Sequence, residues 1–313
     1  KAADTLVAGD TAVVQTGTYE ENVAFSVSGT QTSPIEFRAG GATQIVGVLT
    51  VSANHIRIKD FEIQGVVGTN SETPSVAVEG NGVVIDDNVI CDGFGPGVLT
   101  TSASNGVIVR NNTITNAVQA GIRVQGTDNW IDNNDISHTR DHLNANSSEM
   151  TDADGIRFFG SGHTISGNVI HDIYHDEMKG DPHIDCFQTW ENAYDIVFEK
   201  NTCMLADTDN MIKFAMIQRG TSPSSYNLPM HDLIFVNNLF ISESPQTWTP
   251  LNVGAESCQS AYPVQNLVVV NNTFVRLGGS GGMALLLRCI DGAVVQNNVF
   301  YNWGTSYYPY INT

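Results

Sequence analysis

Two acidic residues recur in the same local setting: Asp154 in Asp154-Gly155-Ile156-Arg157-Phe158, and Asp185 in Asp185-Cys186-Phe187-Gln188-Thr189. Each precedes a long polar side chain by three residues. If the two segments stack in register, the carboxylates repel, so a bound cation, a shared proton or neighbouring arginines must compensate. Asp152 and Asp181 lie close by, and oxygen ligands from Asp152, Asp154, Asp181 and Asp185 make Ca2+ the expected cofactor. A shared proton would instead make an acid–base pair.

The polar partners form a series of their own. Gly121-Ile122-Arg123-Val124, Gly155-Ile156-Arg157-Phe158, Cys186-Phe187-Gln188-Thr189 and Met211-Ile212-Lys213-Phe214 align, and Pro250-Leu251-Asn252-Val253 follows more coarsely. If the residue before each points inward, Arg123, Arg157, Gln188, Lys213 and Asn252 share one outer face. The same alignment extends the acidic column from Asp154 and Asp185 to Asn210, with Asp209 beside it. The chain has 14 Lys+Arg against 33 Asp+Glu, a net charge of −19. Gathering three of so few cations in one column marks a site for anionic groups, while the acidic balance excludes a nucleic-acid partner. Phe159 and Trp190, on neighbouring repeats, and Trp248 offer flat faces to sugar rings.

Residues 171–185 carry three His, five acids, a Tyr and a Lys. His183, close to the outer column, is an expected proton acceptor. A transition-metal site on His171 and His175 would need helical spacing in a region with no helical pattern.

These side chains must be positioned by a repeating element, and the sequence shows it. The phrase Val83-Val84-Ile85-Asp86-Asp87-Asn88-Val89-Ile90 returns around Asn112, Asn134, Asn168, Asn201, Asn238, Asn272 and Asn298, with Phe61 in the asparagine slot of an earlier copy. Apolar and polar residues alternate, the period of strands, and no helical stripe is sustained. Successive asparagines are 24, 22, 34, 33, 37, 34 and 26 residues apart. Each unit holds short strands and turns but no crossover helix, and cannot bury its apolar face alone. The predicted fold is all-β, a single-stranded right-handed parallel β-helix of roughly ten coils. Its asparagines stack about 4.8 Å apart, and its Ile, Val and Phe positions fill the interior. The 313 residues read as one domain, with 1–50 as an N-terminal capping region and first coils. The four long units, 134–272, carry insertions on either side of the outer-column strand and predict a groove over Arg157, Gln188 and Lys213.

No run of about 18 apolar residues exists, which excludes a membrane-spanning helix. The chain starts at Lys1 with no visible signal peptide, as expected of a processed secreted protein. Among five cysteines, Cys258 and Cys289 lie one coil apart and are expected to pair; Cys91, Cys186 and Cys203 read as interior or turn residues.

From about Ile56 onward the asparagine column and coil pattern resemble the right-handed parallel β-helix proteins of the pectate lyase-like superfamily. The resemblance implies a secreted, carbohydrate-active protein whose polysaccharide substrate lies along the outer-column face. Asp181-Pro182-His183 is similar to the Asp-Pro-His motif of alginate C5-epimerases, with Met178 where those have a tyrosine. Asp154 with Asp185 is similar to the stacked acids of β-helix hydrolases. The favoured expectation is a polysaccharide lyase acting on a uronic-acid-containing glycan. Arg157, Arg219 or calcium would hold the uronate carboxylate while Lys213 or His183 takes the C5 proton, and Arg123, Gln188, Trp190, Phe159, Trp248 and Asn252 would bind substrate. The alternatives are a glycoside hydrolase using Asp154 and Asp185, a uronate C5-epimerase, or a β-helix that only binds glycans. The sequence leaves the oligomeric state open.

Overall fold

A computed structural model describes residues 5–66, 72–140, 152–173, 184–190, 192–205, 212–218, 230–244, 247, 249–254, 263–279 and 282–304. Every regular element among them is a short β-strand. Successive strands of a coil go to three different sheets, and each strand pairs in parallel with its counterpart one coil later. Among the described residues the sheets contain twelve, eleven and ten strands, and they are named A, B and C in the order the chain visits them. Such parallel crossovers are right-handed, and the architecture is the predicted right-handed parallel β-helix.

The turn from sheet A to sheet B holds the repeated phrase. Each ladder asparagine donates from Nδ2 to Oδ1 of the next: Asn88 to Asn112 at 3.1 Å, Asn112 to Asn134, Asn134 to Asn168, Asn168 to Asn201 and Asn201 to Asn238 all at 3.0 Å, Asn238 to Asn272 at 2.9 Å, and Asn272 to Asn298 at 3.1 Å. The same Oδ1 atoms accept backbone N–H groups of the preceding coil, as Asn168 does from Asn134 at 3.0 Å. Buried turn backbone is thereby satisfied, which the fold requires. The residue before each asparagine has a positive φ: 55° at Asp87, 55° at Asn111, 52° at Asn133, 63° at Gly167 and 58° at Asn237. Asn, Asp and Gly tolerate that conformation best, which explains why the phrase carries a polar pair. Lys200, at 54°, is the exception. Phe61 starts the ladder by donating its N–H to Asn88 Oδ1 at 3.0 Å, while its ring stacks on Phe37.

Interior columns follow the repeat. Sheet A stacks Ile58, Ile85, Val109, Ile131, Ile165, Phe198, Phe235 and Val269, all with 0% exposure. Sheet B stacks Ile114, Ile136, Ile170, Cys203, Phe240 and Phe274. Where sheet B meets sheet C, the inner position opposite Ile170 is Gly155, whose Cβ would collide with the Ile170 side chain at 2.7 Å. One coil later the same pair is Cys186 and Cys203, joined by a disulfide. Both are interior, as read, with 0% exposure, and the bond between them is an addition to that reading: a Gly/Ile contact has become a covalent one. Cys289 is also disulfide-bonded, its expected partner Cys258 lying outside the described residues, and Cys91 is a free thiol.

Candidate functional site

The site is built on the outer face of sheet C, from strands Ala120–Val124, Asp154–Phe158, Ile184–Thr189, Ile212–Ile217 and Leu251–Val253. The long insertions join sheet B to sheet C or leave sheet C for sheet A, so in chain order they flank this face. Most of their residues lie outside the described ones.

Register fixes two outer columns. One runs Arg123, Arg157, Gln188, Met216, Asn252 and Leu286. The other pairs Ala120 with Asp154 and Asp185 with Lys213; Asp185 N–H joins its two halves by donating to Asp154 Oδ1 at 3.3 Å. Arg123, Arg157, Gln188 and Asn252 stand where the sequence placed them. Lys213 does not: it belongs to the acidic column, three residues from the predicted alignment, and Met216 fills the slot assigned to it. The cause is a corner in each strand. Cys186 and Phe187, like Phe214 and Ala215, are consecutive and all fully buried, so the period of two breaks once and Lys213 faces outward before the break.

The aspartates and cations are linked by hydrogen bonds and ion pairs. Arg157 Nε donates to Asp154 Oδ2 at 2.6 Å, and its Nη1 donates to Gln119 Oε1 at 3.3 Å. Its Nη2 lies 3.9 Å from Asp152. Gln188 Nε2 donates to Asp152 at 3.2 Å and to Asp185 at 3.3 Å. Lys213 Nζ stands 3.8 Å from Asp185 Oδ1. Asp154 and Asp185 are fully buried, and Arg157 and Lys213 are each only 6% exposed. The predicted row of exposed cations is thus a buried network of alternating sign. Burial drives the Asp154 carboxyl well above the ordinary carboxylate range; Arg157 opposes the shift, and Asp185 and Asp152 add to it.

Aromatic faces cover the arginines. The Arg157 guanidinium lies 5.4 Å from the Trp190 ring and that of Arg123 lies 5.5 Å from Phe159. The two rings meet edge to face with centroids 4.9 Å apart. Phe159, expected as an exposed platform, is 5% exposed, whereas Trp190 is half-buried. Arg123 is tied to Glu72 at 2.9 Å, and Gln119 to the same carboxylate at 3.0 Å. Gln119 and Glu72 were not anticipated. Gln119 carries no repeat signal beyond standing beside Ala120, and Glu72 reaches Arg123 across 51 residues. His183, Arg219, Asp181, Trp248, Asp209 and Asn210 lie outside the described residues.

Of the donors expected to hold calcium, Asp152, Asp154 and Asp185 are already engaged, and Asp181 lies outside the described residues. Each described carboxylate of the cluster already faces Arg157, Lys213 or the Gln188 amide, and a divalent ion would be set against two buried cations. Among the described residues, a His/Asp grouping with ligand atoms within 4.8 Å of one another, Asp195, His231 and Asp232, lies on sheet A instead.

No protein-family model matches the chain, and no curated protein does. Solved structures do. The alginate lyase from Paenibacillus sp. str. FPU-7 superposes with a TM-score of 0.62 at 16% identity, over 93% of this chain and 95% of that one. The Streptococcus pneumoniae surface protein and adhesin PfbA gives 0.61 at 14% identity, over 96% and 91%. The catalytic domain of a GH87 alpha-1,3-glucanase in complex with nigerose gives 0.56 at 13%, over 95% and 62%. At these identities the likeness establishes the right-handed parallel β-helix fold. A lyase, an adhesin and a glucanase share it, so activity must be argued from the site.

Proposed function

We propose that this chain is a secreted polysaccharide lyase that cleaves a uronic-acid-containing glycan by β-elimination on the outer face of sheet C. The observation that carries the reading is the buried Lys213–Asp185 and Arg157–Asp154 pairing on the face flanked by the inserted segments. Elimination needs a base at C5, neutralisation of the uronate carboxylate, and a proton for the departing oxygen. Lys213, as the amine, takes the C5 proton, and Asp185 beside it answers the charge that results. The electron pair forms the C4–C5 double bond and the C4–O bond breaks. Arg157, held in place by Asp154 and Trp190, pairs with the substrate carboxylate, and the departing oxygen is protonated from solvent or from His183. Arg123, Gln188, Trp190, Phe159, Trp248 and Asn252 line the path of the chain. Arg219 is a second cation for the carboxylate. No step requires calcium.

The test is incubation with a panel of polymannuronate, polyguluronate and polygalacturonate, following ultraviolet absorbance of the unsaturated product. Absorbance that rises with at least one of them supports elimination. Reducing ends released without that absorbance overturn it.

One observation favours a second reading, glycoside hydrolysis. Burial raises the Asp154 carboxyl, and the neighbouring Asp185 adds to the shift, the direction that a general acid needs beside its partner carboxylate.

A further inference from the structure

A separate cleft opens where sheet C turns into sheet A. Its volume is about 270 Å³, and its lining includes Ser102, Gln125, Thr127, Ser161, Asn192 and Tyr194. Phe159, the ring over Arg123, also lines it, so the cleft adjoins the proposed sheet C path without including Asp154 or Lys213.

The cleft arises from a step in side-chain size along one column of the solenoid. Thr127, Ser161, Tyr194 and His231 succeed one another in register. Two coils of small side chains therefore meet one large ring. The Tyr194 ring stacks on His231 with centroids 4.9 Å apart and an interplanar angle of 27°, which supports it from the following coil. On the side of the preceding coil its neighbour is Ser161, too small to cover it. The floor is glycine by necessity: a Cβ on Gly160, at φ +92°, would lie 2.1 Å from the Gly126 carbonyl oxygen.

The lining chemistry is uniform. The hydroxyls of Ser102, Thr127 and Ser161 and two primary amides converge beside the rings of Tyr194 and Phe159, and no carboxylate, amine or guanidinium is among the described lining groups. Arg123 assigns the Gln125 amide from outside the cleft: with the amide oxygen turned toward it, that oxygen accepts from Nε at 3.0 Å and Nη2 at 3.2 Å. Donors and acceptors without net charge, next to an apolar ring, suit a small polyhydroxylated ring with one C–H face. An anionic ring would leave its charge without a partner there.

We infer that this cleft is a binding subsite for a neutral pyranose unit, with Tyr194 as its stacking platform. The inference rests on the glycan reading of the neighbouring sheet C face, and it adds that the glycan carries uncharged residues or side branches besides uronate.

Binding alone tests it. Saturation-transfer NMR on the whole chain would use methyl α-glucoside, methyl α-mannoside and methyl α-galactoside, with methyl α-galacturonoside as the charged control. At least one neutral glycoside should bind saturably and more tightly than the uronoside. Tyr194→Ala should weaken it by about tenfold or more, the loss of roughly 1.4 kcal/mol, and Tyr194→Phe should retain most of it. Ser161→Leu, which fills the cleft and keeps the ring, should also abolish binding and decides the matter if Tyr194→Ala fails to fold. No saturable neutral glycoside, tighter binding of the uronoside, or parent-like binding by a folded Ser161→Leu variant would each overturn the inference. Lys213→Ala should still bind the glycoside, so failure of the elimination chemistry reads differently from failure of this subsite.

Discussion

Two fully enclosed aspartates, one on sheet A and one on sheet C, show how neighbours decide what a buried carboxylate is for. Asp86 is 1% exposed and Asp154 is 0%, and burial pushes both toward the neutral form. Asp86 nevertheless titrates at about 2. Arg110 donates to it at 3.1 and 3.0 Å, Arg57 binds it from the coil on the other side, and Asn111 adds a bond at 3.1 Å. Asp154 has one arginine and two acidic neighbours, so burial wins and its carboxyl is raised. Charge is closed on itself around Asp86, a structural clamp between coils. Around Asp154 the acids outnumber the cations, and the cluster has protons to exchange. The difference predicts that the two clusters separate in turnover and in how their contributions to stability depend on pH.

The largest effect should be on turnover. Lys213→Ala is expected to lower polyuronate cleavage by about 10²- to 10⁴-fold, the usual worth of a general base, and to cost stability as well, because the fully buried Asp185 loses its ammonium partner. Full activity in this variant would remove Lys213 from the chemistry and leave the sheet C network with the same clamping role as the Asp86 cluster.

The next effect concerns the anchor behind the site. Cys186 adjoins Asp185, and its bond to Cys203 closes a span of 17 residues. Loop-closure entropy for that span corresponds to roughly 3 kcal/mol. The double variant Cys186→Ala/Cys203→Ala should lose stability of that order in denaturant unfolding. Nothing comparable braces the coil of Asp86 among the described residues, so reducing agent should loosen the sheet C side first, as read by hydrogen exchange.

How much of this was legible follows from where the period holds. The asparagine ladder and its left-handed partner residues are one-dimensional signals: the same two positions recur in every coil, so the turn, the interior columns and the location of the long units could all be read. Arg123, Arg157, Gln188 and Asn252 were legible because they follow the corner, where alternation has resumed. Lys213 was misplaced because it precedes the corner, and Cys186-Phe187 against Phe214-Ala215 gives two alignments of similar apolar pattern. Charge would have chosen between them, since only one sets a lysine beside Asp185. The disulfide was visible in principle, because Cys203 occupies an isoleucine slot and Cys186 a glycine slot on facing strands. Glu72 and Gln119 were beyond reach, because their contacts depend on side-chain reach across coils rather than on any repeat.

A smaller effect belongs to the clamp. Asp86→Asn should cost about 2 kcal/mol at neutral pH and leave turnover unchanged. Its arginines, 32% and 40% exposed, recover hydration, which keeps the loss below that of a fully buried pair. Because the folded carboxyl is depressed from 3.8 to about 2, its contribution is complete above the unfolded value and is lost as pH falls through about 2. Parent and variant should therefore converge in urea unfolding at the acid end. A gap that persists there would mean that Asp86 acts through packing rather than charge.

The smallest stability effect, and the most discriminating, is at Asp154. Burial raises the Asp154 carboxyl and so favours its neutral form, and Asp154→Asn should therefore change stability by less than Asp86→Asn does, and by under roughly 1 kcal/mol. The pH slope should also have the opposite sign. A raised folded pKa gives a contribution that is fully present below the unfolded value, near 3.9, and is lost as pH rises through the folded value. The parent should thus lose ground to Asp154→Asn on going alkaline, where it gains on Asp86→Asn on leaving the acid end. Turnover then separates the two mechanisms. The amide oxygen introduced by Asp154→Asn can still accept from Arg157, so under β-elimination the variant keeps its guanidinium in place and loses about tenfold or less. A general acid in hydrolysis cannot be replaced by an amide, and the loss would be about 10²- to 10⁴-fold, with parent activity falling as pH rises through the raised pKa of Asp154. A severe loss in Asp154→Asn beside an active Lys213→Ala would make the sheet C aspartates the catalytic pair and their cations the clamp.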